Sequence, residues 1–455
     1  MTKHSLLKKL FGFIIVLTGI TPLKAQNLLE TYDLALQNDP TLKQAQANQL
    51  ATDEIRDQSI ARFLPNISAT AASSRERLHN KKAKDPRFID FRGIQVNQEY
   101  WNHSFSLNLA QPLFHWEHWI QLSQSDNQIA QAEASYQAEL QNLMVKITEA
   151  YFNILSAQDN LDFTLAEKDA IARQLEQAKQ RFEVGLVAIT DVHEAQAAFD
   201  QASASEIEAT NNLDNQKEVL REIIGDNEAL LNPLDEKLPL AKPEPADIEK
   251  WSNSAEMNNF SIISAFNEAE AFRKSIDLQR SGHLPQLDLV ASYGVSDVNS
   301  SFGLRGDTQS VGVQLNVPLF EGGAVNSRTR QASHDYDAAK ERWIATRRSV
   351  KRQVKDAFRG VMSSIGRVEA LKTTVISAES ALEATEAGLE VGTRTMVEVL
   401  TEQRNSYRVK RDYARSRYDY LINSIKLKQA ASTLTLGDLE QINRLLVANT
   451  DKNRD

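Results

Sequence analysis

The sequence is written twice. Gln111-Pro112-Leu113-Phe114 recurs as Val317-Pro318-Leu319-Phe320, Ala150-Tyr151-Phe152 as Ala357-Phe358, and Glu183-Val184-Gly185 as Glu390-Val391-Gly392, at offsets of 206, 207 and 207. In a chain of 455 residues this constrains the fold more than any local motif, because whatever one half builds the other must build again. Leu64-Pro65 and Leu284-Pro285 also correspond, at an offset of 220, so the first half carries one longer segment, residues 78–98. Residues 226–250 separate the halves. They hold Pro233, Pro239, Pro243 and Pro245 and read as a non-helical connector.

Each half contains one long proline-free stretch with a seven-residue seam. Steps of seven from Leu140 give Ile147, Ile154, Leu161, Lys168, Leu175 and Phe182. Shifted by 207 they give Arg347, Val354, Val361, Val368, Val375, Leu382 and Leu389, so twelve of fourteen positions are apolar. A strict heptad is a coiled-coil seam, from which an ordinary surface helix would drift. The spacing predicts a helix over 115–184, about 105 Å long, and shorter helices over 191–224 and 28–61, about 50 Å each. The two short ones together match the long one and can stack end to end beside it. The second half repeats this over 321–389, 396–432 and 251–283. With only 17 Gly and 11 Pro there are few turns for the length.

Between the helices lie alternating segments. Phe105, Leu107 and Leu109 alternate with Ser104, Ser106 and Asn108. Val311, Val313, Leu315 and Val317 alternate with Gly312, Gln314 and Asn316, and Leu287, Leu289, Ala291, Tyr293 and Val295 behave alike. Residues 65–75, with Ile67, Ala69 and Ala71, form a weaker fourth case. Each run has about nine to eleven residues, the length of a tilted membrane strand, although a half-buried soluble hairpin alternates in the same way. Four strands cannot close a membrane barrel, whose smallest examples have about eight. An open edge in lipid leaves backbone groups unpaired at several kcal/mol each. The barrel must therefore be shared, and this arithmetic does not choose between two copies and three.

The N-terminus reads as an export signal. Lys3, Lys8 and Lys9 precede an uncharged apolar run over residues 10–20, too short to span a bilayer; Pro22 breaks it and Ala25 is a candidate cleavage residue. Removing residues 1–25 takes away four lysines and no acid, which moves the net charge from −9 to −13. Zero cysteines exclude disulfides, thiol catalysis, cysteine metal sites and an N-terminal lipid-anchor cysteine. A mean hydropathy of −0.43 excludes a polytopic helical membrane protein, and the acidic balance argues against nucleic-acid binding.

At this point the chain resembles the TolC family of outer-membrane efflux and secretion channels. The resemblance rests on residues 181–192 (RFEVGLVAITDV), 391–400 (VGTRTMVEVL), 318–323 (PLFEGG) and 418–423 (YDYLIN), in order and in both halves. It implies a homotrimer with a shared twelve-stranded outer-membrane β-barrel and a long periplasmic helical barrel. It also implies docking to a periplasmic adaptor and an inner-membrane pump or ABC exporter, with no cofactor. On this reading 1–25 is the signal peptide, 26–63 and 251–283 are periplasmic helices, and 64–113 and 284–320 are barrel hairpins. Residues 114–225 and 321–436 form long helices with tip turns and returning helices, 226–250 is an equatorial linker, and 437–455 is an equatorial segment with a disordered tail.

Gly185 and Gly392 end the long helices, as suits a helix C-terminus. Asp191 and Glu398 sit 207 apart at the start of the returning helices. Thr395-x-x-Glu398 is a capping-box pattern, so helix-start chemistry is one reading of these acids. The resemblance implies another, a gate in which Arg394 ties its turn to Thr190 and Asp191 while Glu398 belongs to an acidic constriction. It also implies adaptor docking at Gly185, Leu186, Val187, Gly392 and Thr393. The chain departs from the family pattern at Thr401, where a second acid is expected, and at Leu389, where a tyrosine is.

Other motifs carry less. His115-x-x-His118 has helical spacing, but Trp116 and Trp119 interleave and no carboxylate pattern completes a ligand set, so it reads as an aromatic anchor at the membrane interface. Lys81, Lys82, Lys84, Arg87 and Arg92 lie in the longer loop, which reads as solvated and extracellular. Gly322-Gly323 has no following Lys-Ser/Thr and is no phosphate loop. No nucleophile-base constellation appears. A periplasmic coiled-coil scaffold without a pore explains the heptads but not the alternating strands, and an adaptor would show one helical hairpin rather than a duplication.

Overall fold

The computed structural model describes residues 26–79, 97–227, 230–299 and 305–447. The export segment, the basic loop residues Lys81 to Arg92 and the tail from Thr450 lie outside the described residues.

A capping box starts the first helix. Asn27 Oδ1 accepts from the Glu30 amide at 2.9 Å, and the Asn27 amide donates to Glu30 Oε2 at 3.0 Å. α1 (Leu28–Asn38) then stops, and α2 (Pro40–Ala61) begins one residue later. The single helix expected over 28–61 is thus two. Pro40 has no amide hydrogen to continue α1. Asp39 sits extended between them, the C-cap of one helix and the N-cap of the next, accepting from the Leu42 amide at 2.8 Å. The helix expected over 251–283 divides in the same way into α5 (Ile248–Asn258) and α6 (Phe260–Arg280). There Asn259, 220 residues after Asp39, caps the amides of Ser261 and Ile262 with no proline present.

The long helices are α3 (Trp116–Glu183) and α7 (Ala324–Glu390), each about 100 Å at about 1.5 Å per residue. Each is returned by a shorter partner, α4 (Ile189–Ile224) and α8 (Met396–Ala430). α2 packs on the first part of α3 and α4 on the rest, while α6 and α8 divide α7 between them; α3 also packs on α6 and α8, which joins the two repeats. The stacked ends are tied alike in both halves. Asn38 Nδ2 donates to the Ile224 carbonyl at 2.9 Å, and Asn259 Nδ2 to the Ala430 carbonyl at 3.0 Å.

The heptad seam is buried at mid-height through Ile147, Ile154, Val354, Val361 and Val368. Its two polar positions carry ion pairs, Lys168 with Glu206 and Arg347 with Glu256, each at 2.6 Å. The main core gathers here, with Tyr151 and Phe152 of α3 fully buried among Leu28, Ile223, Tyr418 and Leu439. Each such apolar side chain contributes about 1.5–3 kcal/mol. Leu439 belongs to α9 (Leu436–Asn443), a capped helix in the stretch read as equatorial segment and tail. Across the α3–α8 seam Glu149, Asp159 and Glu167 meet Lys426, Tyr418 and Arg411 at 2.5, 2.6 and 2.7 Å.

The strands are β1 (Asn66–His79), β2 (Asn97–Phe114), β3 (Gln286–Val298) and β4 (Arg305–Asn316), antiparallel in the order β1-β2-β3-β4. Register decides which residues share a face. Ile67, Leu109, Ala291 and Val311 stand in one row, and Ala71, Phe105 and Val295 in another. Ser68, Asn108, Ser292 and Ser310 form a row on the opposite face. The architecture is the one the sequence predicts: mainly helical and duplicated, with four membrane-type strands.

Candidate functional site: helix turns and open sheet edges

The sheet has two open edges. Among the described residues β1 pairs only with β2 and β4 only with β3, and every residue of β4 is exposed. Val311 is 79% exposed and Val313 and Leu315 are 62% exposed, an apolar row that water does not favour. Trp101 lies at the far end of the apolar face, and Phe114, Trp116 and Trp119 at the helix end, all exposed. From Trp101 to Phe114 the strand runs about 44 Å, or about 30 Å along the normal at the usual tilt of about 45°. That is a hydrocarbon core bounded by two aromatic girdles.

Far from the sheet, the two turns are built to one plan. Gly185 at φ 76 and Gly392 at φ 78 take the left-handed conformation that ends the long helices. Leu186 N bonds the Arg181 carbonyl at 2.8 Å, and Thr393 N bonds the Gly388 carbonyl at 2.8 Å, each closing the helix C-terminus. Leu186 and Val391 are 73% and 76% exposed, an apolar surface at the tip. Behind it Ile171, Leu175, Ala195, Ala202, Met396 and Leu400 make a small core that joins the two hairpins, with Leu389 packed on its rim.

The turns differ in their polar residues. Thr395 and Glu398 form a complete capping box. The Thr395 amide donates to Glu398 Oε2 at 2.8 Å and the Glu398 amide donates to Thr395 Oγ1 at 3.3 Å. Arg394 Nη1 donates to Glu398 Oε1 at 2.8 Å. The Thr395 amide, then the Arg394 guanidinium, hold this carboxyl below its ordinary pKa. The first turn has Val187, Ala188 and Asp191 at the equivalent positions, and α4 has no side-chain cap. Thr190 Oγ1 reaches Asp191 Oδ1 at only 3.4 Å.

Within one chain, Arg394 thus rests on Glu398, and among the described residues no bond joins it to Thr190 or Asp191. Thr401, at the departed acid position, bonds back to the Val397 carbonyl at 2.7 Å. Gly388 escaped the sequence reading. A Cβ there would stand 2.6 Å from Arg394 Cγ, so only glycine lets Arg394 lie across the end of α7. Its one sequence signal is a glycine inside a helix, seven residues ahead of the capping threonine.

At the other end of α3 the structure corrects the reading of His115 and His118. Carboxylates do gather there. His115 Nδ1 is 3.0 Å from Glu117 Oε1 and its Nε2 is 3.0 Å from Asp288 Oδ1 on β3. The Asp288 contact depends on strand pairing and is invisible in the local pattern.

Comparison with known proteins gives the geometry its context. The sequence profile described as Outer membrane efflux protein matches residues 31–226 and 251–433. The chain is 39% identical over 424 residues to the outer membrane protein TolC of Vibrio cholerae, covering 92% of this chain and 93% of that one. It is 36% identical to the Escherichia coli protein of the same name, covering 97% and 90%. It is 30% identical to the alkaline protease secretion protein AprF of Pseudomonas aeruginosa, covering 97% and 92%. Among solved structures, the CusC channel superposes with a TM-score of 0.75 at 16% identity over 89% of this chain and 92% of that one. VceC of Vibrio cholerae superposes with a TM-score of 0.72 at 18% identity over 89% and 95%. The relatives are channel proteins rather than enzymes. The chain therefore belongs to the outer membrane efflux protein family and is an outer-membrane exit duct that reaches into the periplasm.

Proposed function

We propose that three copies of this chain form a passive conduit for efflux and type I secretion, fed by an inner-membrane pump or ABC exporter through a periplasmic adaptor and closed at its periplasmic tip. The observation that carries the reading is the open-edged sheet with one apolar face, set on coiled coils about 100 Å long. Joined β4 to β1, three copies give twelve strands and leave no edge in lipid. The polar rows of Ser68, Asn108 and Ser292 then face the lumen. The apolar tips around Leu186, Val187 and Thr393 offer an adaptor its docking surface, and the protein does no chemistry of its own. Relatives named for efflux and for protease secretion support both cargo classes.

The closed state is held between copies. Arg394 leaves Glu398 for Thr190 and Asp191 of the turns it meets in the ring, through charged hydrogen bonds of about 1.5–3 kcal/mol each. A few such bonds shut the pore yet yield to a docking partner. Glu398, freed of Arg394, contributes to an acidic ring that favours cations. Leu389 supplies packing where the family pattern has a hydroxyl, so the latch has one bond fewer. Single-channel recording in planar bilayers tests this. Wild type is expected to give small, cation-preferring events, and Arg394→Ser to give larger ones. Equal conductance in the two would remove Arg394 from the latch, and a folded protein with no channel would favour a poreless scaffold.

A further inference from the structure

The elbow where β2 turns into α3 holds a cluster that the duct does not need. His115 is the N-cap of α3, its side chain 13% exposed, and Glu117 and His118 follow in the first turn. The His118 ring stacks on His115 at 4.7 Å between centroids and 12° between planes. One donor atom from each of His115, Glu117 and His118 lies within 4.8 Å of the others. β3 supports them from the second repeat. Asp288 Oδ1 is 3.0 Å from His115 Nε2, and Gln286 Nε2 donates to Glu117 Oε1 at 2.7 Å.

The duplication supplies an internal control. The second elbow turns from strand to helix with Glu321, Gly322, Gly323 and Ala324, at offsets of 206 from His115 to His118, and has no histidine at those positions. The one imidazole that reaches it among the described residues, His283, meets Asn326 Oδ1 at 3.2 Å rather than a carboxylate. The fold can therefore make this elbow without the cluster. His115 makes no side-chain capping bond to the first turn of α3, so it is not there to cap the helix.

We propose that His115, Glu117 and His118 bind a divalent transition-metal ion of the zinc class at the first elbow of each chain. Two imidazoles and one carboxylate form a borderline-soft donor set that suits zinc and its neighbours and not magnesium or calcium, which prefer oxygen alone. Asp288 is the outer shell. A metal-binding imidazole donates its other N–H to a carboxylate; Asp288 takes that of Nε2, and Nδ1, 3.0 Å from Glu117 Oε1, exchanges that contact for a metal shared with Glu117. The His118 ring must swing out of the stack, because the lone pairs of parallel rings do not converge. The occupied site ties α3 to β3, bracing the join between barrel and helices with groups from both repeats.

The test uses full-length protein without a polyhistidine tag, purified in detergent, stripped with EDTA and titrated with zinc chloride by calorimetry, with elemental analysis of the dialysed complex. One zinc per chain is expected. His118→Ala should weaken binding about tenfold or more, and Asp288→Asn, a positioning change outside the ligand set, by about 10–100-fold with stoichiometry unchanged. Bilayer conductance identifies folded channels in every sample and should be the same for wild type and His118→Ala. Equal zinc affinity in wild type and His118→Ala, displacement of zinc by equimolar magnesium, or a conducting wild type that retains no zinc would each overturn the proposal.

Discussion

At the scale of single residues, the tip works through small differences between two nearly identical turns. The backbone scaffold is the same, with a left-handed glycine and a carbonyl-capped helix end. Repeat two alone adds a guanidinium, a threonine cap and a glycine that makes room for them. Arg394 is held loosely, since its bond to Glu398 is exposed on both sides at 56% and 41%, and solvent screens such pairs. Gly388 sets that resting place. Gly388→Ala is expected to push Arg394 off Glu398, favour the latch between copies and move single-channel conductance below wild type, away from that of Arg394→Ser. Thermal stability should not fall, because alanine favours a helix interior over glycine by about 0.8–1.0 kcal/mol. Wild-type conductance in Gly388→Ala would mean that where Arg394 rests in the single chain has no bearing on the gate.

At the scale of elements, the breaks between stacked helices matter as much as the helices. Asp39 is fully buried. Burial alone would raise its carboxyl, but hydrogen bonds from Thr41 and the Leu42 amide, then Lys146 at 3.0 Å, hold it below its ordinary pKa. A depressed carboxylate stabilises the fold fully above its unfolded pKa of about 3.9 and loses that contribution as pH falls through the folded value. Asp39→Ala should therefore cost about 0.5–2 kcal/mol at pH 7, and the gap from wild type should close in acid. Asp39→Asn, the residue repeat two uses at Asn259, should keep most of the cap and lose the pH dependence. Thermal melts at pH 7 and below pH 4 decide it, and a gap unchanged by acid would contradict the assignment.

At the scale of the whole molecule, one chain is an unfinished object. Its sheet has two bare edges and its outer face is apolar from the row of Ile67 to that of Phe105. Adjacent residues on β2 face opposite solvents in the closed barrel, so they should respond oppositely to charge. Leu107→Arg on the lipid face is expected to cost about 2–4 kcal/mol near the midplane, and Asn108→Arg on the lumen face little of that. Unfolding from lipid vesicles in urea measures the difference, and equal losses at both positions would mean that the sheet does not sit in a membrane.

Sequence alone determined the duplication, the long coiled coils, the four strands and the need for a shared barrel. These rest on periodicity, which is local and read directly from Ile147 to Leu175 or from Phe105 to Leu109. It also marked the turns at Gly185 and Gly392, because a helix end needs a residue that tolerates positive φ. It missed the breaks at Asp39 and Asn259, where one extended residue separates two helical stretches that follow each other directly in sequence. It missed α9, which is too short for a period to show. Only the tertiary structure could bring Asp288 to His115 or lay Arg394 against Gly388. The first pairing spans 173 residues of chain and depends on β2–β3 register, and the second on a turn folding back over its own helix. Periodicity says which face is buried, whereas the neighbours of a polar side chain are set by how separate elements dock.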